Sequence, residues 1–212
     1  MKQLLFILMT VAFFATAQAK KVKVTIDGTV SPSQTTLYLI VNEDTAQALR
    51  VPIQDAQFSV TVTVDRDAFI RLNDSKKWPE SSAFVLIPDS RHITVNWNTG
   101  SIEGSEQSHK LKFACREIRE NSPEGFHVDV FSDDPGAWRR AQAQGESIRQ
   151  GMLEAQRNQF KLQMQDKKNN LICAWLAYCY PQLLEGEIGA MLEHMKKKPK
   201  WMNHPILKGK LK

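Results

Sequence analysis

The sequence predicts an α+β protein, with an N-terminal antiparallel β-sandwich or small barrel followed by a helical segment. Two observations carry that expectation. Apolar and polar residues alternate with a period of two across residues 21–103, and from Ser105 onward the apolar residues recur with the period of a helix. A third observation sets where the architecture begins. Lys2 precedes a largely apolar run over residues 4–14, and Ala17-Gln18-Ala19 has the small-x-small form of a cleavage site, the pattern of a secretory signal peptide. The run is short for a membrane span, which takes about twenty apolar residues. The expected parts are therefore a signal peptide over residues 1–19, a β-rich domain over 20–104 and a helical segment over 105–212. Cleavage near Ala19 would place a mature chain without a transmembrane segment in the periplasm or otherwise outside the cytoplasm.

The strands follow in order. Val22, Val24 and Ile26 alternate with Lys21, Lys23 and Thr25, and Asp27-Gly28 then marks a bend or bulge. Residues 37–41 are continuously apolar after the Ser31-Pro32-Ser33 break, as in a strand buried on both faces. Phe58, Val60, Val62 and Val64 alternate with Ser59, Thr61 and Thr63, a half-buried, β-branched strand. Residues 69–72 and 83–87, together with Ile93, Val95 and Trp97, supply the rest. Short strands at close spacing bury one face per sheet and leave the other wet.

In the helical part, Ser105 is the expected N-cap of a helix whose Leu111, Ala114, Cys115 and Ile118 share one face. Residues 121–136 hold two prolines, two glycines and Asp133-Asp134, and read as a connecting loop. A long polar helix is expected over 137 to about 167, with a thin apolar face of Trp138, Ala141, Ile148, Met152 and Ala155. A more apolar helix over 170–180 stops at Pro181. A last helix carries Leu184, Ile188, Met191, Leu192 and Met195, and ends at the lysines before Pro199.

Charge and cysteine usage bound the function. The chain carries 28 basic and 23 acidic residues, formally +5. Its cations are mostly interleaved with acids, as in Arg116, Glu117, Arg119 and Glu120, so no nucleic-acid partner is expected. The C-terminal lysines, Lys196 to Lys212, read as a solvated helix end and terminus, the alternative being contact with an anionic surface or acidic partner. Cys115, Cys173 and Cys179 are an odd set. Cys173 and Cys179, six residues apart on one helix, are separated by roughly 9 Å of rise and lie beyond disulfide reach. A bridge from Cys115 to either stays geometrically open. The expected state is three small buried apolar side chains, and no C-x-x-C exists to form a redox centre.

Other chemistry finds no assembled pattern. His92, His109, His127, His194 and His204 are scattered without the spacing that puts two ligands on one helical face, and read as surface imidazoles. Asp133 and Asp134 lack the spacing of a calcium loop and read as turn residues. There is no Gly-rich phosphate loop and no G-x-S-x-G elbow. No catalytic, cofactor-binding or metal-binding residue is therefore assigned. Trp97 and Trp175 fit core positions, whereas Trp78, Trp138 and Trp201 lie in polar surroundings where they cap an edge of the core or mark a contact surface.

The strand opening into Thr25-Ile26-Asp27-Gly28-Thr29-Val30, the Leu37-Tyr38-Leu39 and Gln57-Phe58-Ser59-Val60 strands, and Phe84 to Trp97 leading into Gly100-Ser101-Ile102-Glu103-Gly104-Ser105 carry a resemblance. This pattern resembles the N-terminal domain of unknown function of exported bacterial thioredoxin-like and peroxiredoxin-like proteins. Residues 170–212 resemble the helical connector that precedes their catalytic domain. The chain ends at Lys212, where that redox domain would begin, and holds no W-C-x-x-C pattern. The resemblance thus implies an exported, non-catalytic accessory or binding module, with a protein or other component of the envelope as partner. The alternatives are a thiol-dependent redox protein using one reactive cysteine, Cys115 first, or a truncated thioredoxin-like oxidoreductase.

Overall fold

The computed structural model describes residues 20–76, 83–165, 170–184 and 204–207. Nine strands come first: β1 (Lys21–Thr29), β2 (Leu37–Val41), β3 (Leu49–Val51), β4 (Ile53–Gln54), β5 (Gln57–Asp65), β6 (Ile70–Asn73), β7 (Phe84–Leu86), β8 (His92–Asn96) and β9 (Ser101–Glu103). Three helices follow among the described residues: α1 (Glu106–Glu120), α2 (Pro135–Gln165) and α3 (Asn170–Cys179). The α+β order read from the periodicity is the order of the fold.

The strands form two sheets, one of order β4-β5-β1-β8-β9 and one of order β3-β2-β6-β7. Val24, Ile26, Phe58, Ile93 and Val95 of the first face Leu37, Leu39, Ile70, Leu72 and Leu86 of the second across an apolar core. The opposite face of the five-stranded sheet is polar. There the Thr25 and Thr61 hydroxyls meet at 3.0 Å, and His92 and Asp27 pair at 2.7 Å.

Pairing is antiparallel throughout with one exception: β8 lies parallel to β1, with Ile26 opposite Ile93 and Gly28 opposite Val95. The chain passes through β6 and β7 of the other sheet before β8 returns, so it re-enters beside β1 in the same direction. Gly28 makes no bend, because β1 runs straight through it to Thr29. Its role is close approach. A Cβ there would stand 1.8 Å from the Val95 carbonyl oxygen.

Two strands were invisible to the alternation rule. β3 pairs with β2 while β4 pairs with β5, so one short extended stretch changes sheets at Pro52, which has no N–H to contribute to either ladder. Asp55 and Ala56, at φ 52° and 57°, then turn the chain into β5, as a two-residue hairpin requires.

A second core lies between the four-stranded sheet and the helices. It joins Phe69 and Ile87 to Leu111, Ala114 and Ile118 of α1, Phe160 and Met164 of α2, and Ile172, Trp175 and Leu176 of α3. Trp175 is buried and packs against Phe69 with ring centroids 4.9 Å apart and tilted by 40°, the core position expected of it. The thin apolar face expected on α2 is corrected. Trp138 and Ile148 are 45% and 44% exposed, while Gln156, Phe160 and Met164 are buried, because only the C-terminal half of this 31-residue helix reaches the core. The residues of the last expected helix beyond Leu184, the lysine tail, Trp78, Trp201 and the expected signal peptide lie outside the described residues.

Candidate functional site

β7 and β9 are the edge strands of the two sheets, and α1 lies across both. Its start is tied down by side chains. Gly104, at φ 80°, turns the chain where a Cβ would meet the His92 carbonyl oxygen at 2.4 Å. Ser105 then caps α1 by accepting from the Ser108 N–H. Ser108 is fully buried, and its hydroxyl accepts from the Ile87 N–H at 2.8 Å. The Gln107 N–H donates to Asp89 at 2.8 Å. These bonds fix the beginning of α1 to the segment after β7.

Below that anchor a groove of about 360 Å³ stays open between helix and sandwich. Phe84, Val85, Trp97, Ile102 and Leu111 supply apolar walls, and Trp97 packs edge-on to Phe84 at 5.0 Å. Lys112, Arg116 and Arg119 supply the rest of the α1 side, and among the described residues no carboxylate lines the groove. At spacings of four and three residues these cations fall on one helical face. Lys112 reaches the Gly100 carbonyl oxygen, and Arg116 lies 3.5 Å from the exposed Glu120 and 3.8 Å from the half-buried Glu117. Arg119 has no ion-pair partner among the described residues. The alternation of signs in sequence had masked this cationic face.

Cys115 also lines the groove and packs against the helical core. Burial pushes its thiol up to about 12, and the Arg119 charge offsets this only in part. Burial likewise raises the Tyr180 phenol, with Cys115 and Cys179 nearby adding to the shift. All three cysteines are unbridged; Cys173 is buried and its thiol faces the Gln163 carbonyl oxygen at 3.3 Å, while Cys115 and Cys179 are half-buried.

The other polar residues divide clearly. His92, His109 and His127 are exposed as expected, but His92 has a carboxylate partner in Asp27, and His127 lies 3.7 Å from Asp129. His204 corrects the surface reading. It is buried, donates from Nε2 to the Asp67 carbonyl at 2.9 Å and stands edge-on to Phe69. Its apolar neighbours Ile206 and Leu207 enter the helical core, a tertiary arrangement with no local sequence signal. His194 lies outside the described residues. Asp134 acts as a turn residue, accepting from the Gly136 and Ala137 N–H groups where α2 begins. Among the described residues no three His, Cys, Asp or Glu side chains group as a metal site, and no helix is long and apolar enough to cross a membrane.

Comparison of the chain with protein-family profiles, with curated proteins and with solved structures returned no match.

Proposed function

We propose that this chain is an exported, non-catalytic binding module that receives its ligand in the groove between α1 and the open edge of the sandwich. One observation carries the reading: apolar walls from both sheets converge with a cationic helix face around about 360 Å³, within the usual range of small-molecule sites. Anchoring at Ser105 and Ser108 supports it, because a site framed by a tethered helix and two sheet edges is largely preformed. In the same reading the chain is an accessory part of the envelope thiol-disulfide system that its sequence resembles. The redox alternative at Cys115 is disfavoured by burial, which keeps the thiol protonated at neutral pH.

Titration of the full chain with the neutral dye N-phenylnaphthylamine, followed by dye fluorescence, tests the site. Saturable binding to one site is expected. Ala83→Trp, at the half-buried mouth of the groove, should weaken it by about tenfold or more while the circular dichroism spectrum stays unchanged. Absence of binding, or equal binding by the folded variant, overturns the reading.

A further inference from the structure

We infer that the groove selects an amphipathic anion: a single acyl chain, on the order of ten carbons, ending in a carboxylate. The inference rests on the groove being a binding site and adds the chemistry of what enters it. Phe84, Trp97 and Ile102 offer an apolar surface that a hydrocarbon chain covers without leaving a polar group unpaired. Arg119 supplies the complementary head. This residue lines the cavity without an ion-pair partner among the described residues, and a carboxylate can engage its guanidinium through two parallel hydrogen bonds. Lys112 and Arg116 extend the positive potential along the same helix face, although the half-buried carboxylate of Glu117 and the exposed one of Glu120 draw part of it off at Arg116. With no acidic residue in the lining among the described residues, a cationic amphiphile of equal length meets the same walls and a repulsive rim.

The test compares decanoate with decyltrimethylammonium on the full chain by titration calorimetry at low ionic strength. Decanoate is expected to bind about tenfold or more tightly than the cation, and the difference should shrink as salt is added. Arg119→Gln should remove most of that preference. Equal affinity for the two amphiphiles, a preference for the cation, or a preference unchanged in Arg119→Gln overturns the inference. If the dye still binds in any of these cases, the binding site survives and only its ligand class falls. If neither dye nor amphiphile binds, both fall together.

Discussion

Arg71 of β6 donates from Nε to both carboxylate oxygens of Glu43, at 2.9 and 3.0 Å, with the arginine 1% exposed. The pair lies on the helix-facing side of the four-stranded sheet. Arg71 stands opposite Ile40 and Val85 in the ladders, and the negative charge of Glu43 helps raise the Tyr178 phenol of α3 after burial, the larger cause. Glu43 reaches the arginine from a left-handed turn, φ 62°, next to Asn42, whose side chain accepts from the Phe69 N–H. The turn after β2 is thereby locked onto β6.

Removing one partner leaves a buried charge exposed to no water. Glu43→Gln should therefore lower unfolding free energy by about 3 kcal/mol, the scale of a broken buried pair. Urea denaturation checks the loss, and a double-mutant cycle with Arg71→Met should show strong coupling. Additive effects in the cycle would mean that the pair contributes little beyond packing.

Two glycines give opposite expectations. Gly28→Ala places a Cβ against the Val95 backbone and should cost about 4 kcal/mol or more, since the β1–β8 ladder would have to separate. Gly151→Ala, in α2 with no atom within 4 Å of the new Cβ, should instead stabilise by about 0.5–1 kcal/mol. Thermal melts of both variants measure the contrast.

The raised thiol of Cys115 links stability to alkaline pH. Its ordinary value is 9.0 and its folded value about 12, so the unfolded chain loses this proton first. Stability from this group is fully present below about 9 and falls as pH rises toward 12. Cys115→Ala should flatten that part of the profile, and native Cys115 should react with iodoacetamide far more slowly than it does in denatured protein.

Export is checked by mass. Expressed with its own N-terminus in a secreting bacterial host, the protein recovered from the periplasm should begin near Lys20. Intact Met1 in the recovered chain would contradict cleavage.

Much of the fold was legible because burial on one face imposes a period. Val24 and Ile26, or Leu111, Ala114 and Ile118, announce their elements without knowledge of their neighbours. What escaped was set by tertiary contact. Residues 49–54 change sheets too quickly to alternate, His204 is buried by a packing partner 137 positions earlier in the chain, and the exposed half of α2 also carries large apolar residues, Trp138 and Ile148, that mimic a docked face. The groove escaped for a similar reason. Its walls come from β7, from the β8–β9 turn and from α1, and only the spacing of Lys112, Arg116 and Arg119 could have flagged it.

The most direct test of the account is where ligand contact registers along the chain. Amide and indole chemical shifts followed by NMR during decanoate titration should move at Phe84, the Trp97 indole, Gly100, Ile102 and the Leu111–Arg119 face of α1. Movement concentrated instead around the exposed Phe131 and Trp138 side chains, with the groove signals unchanged, would contradict it.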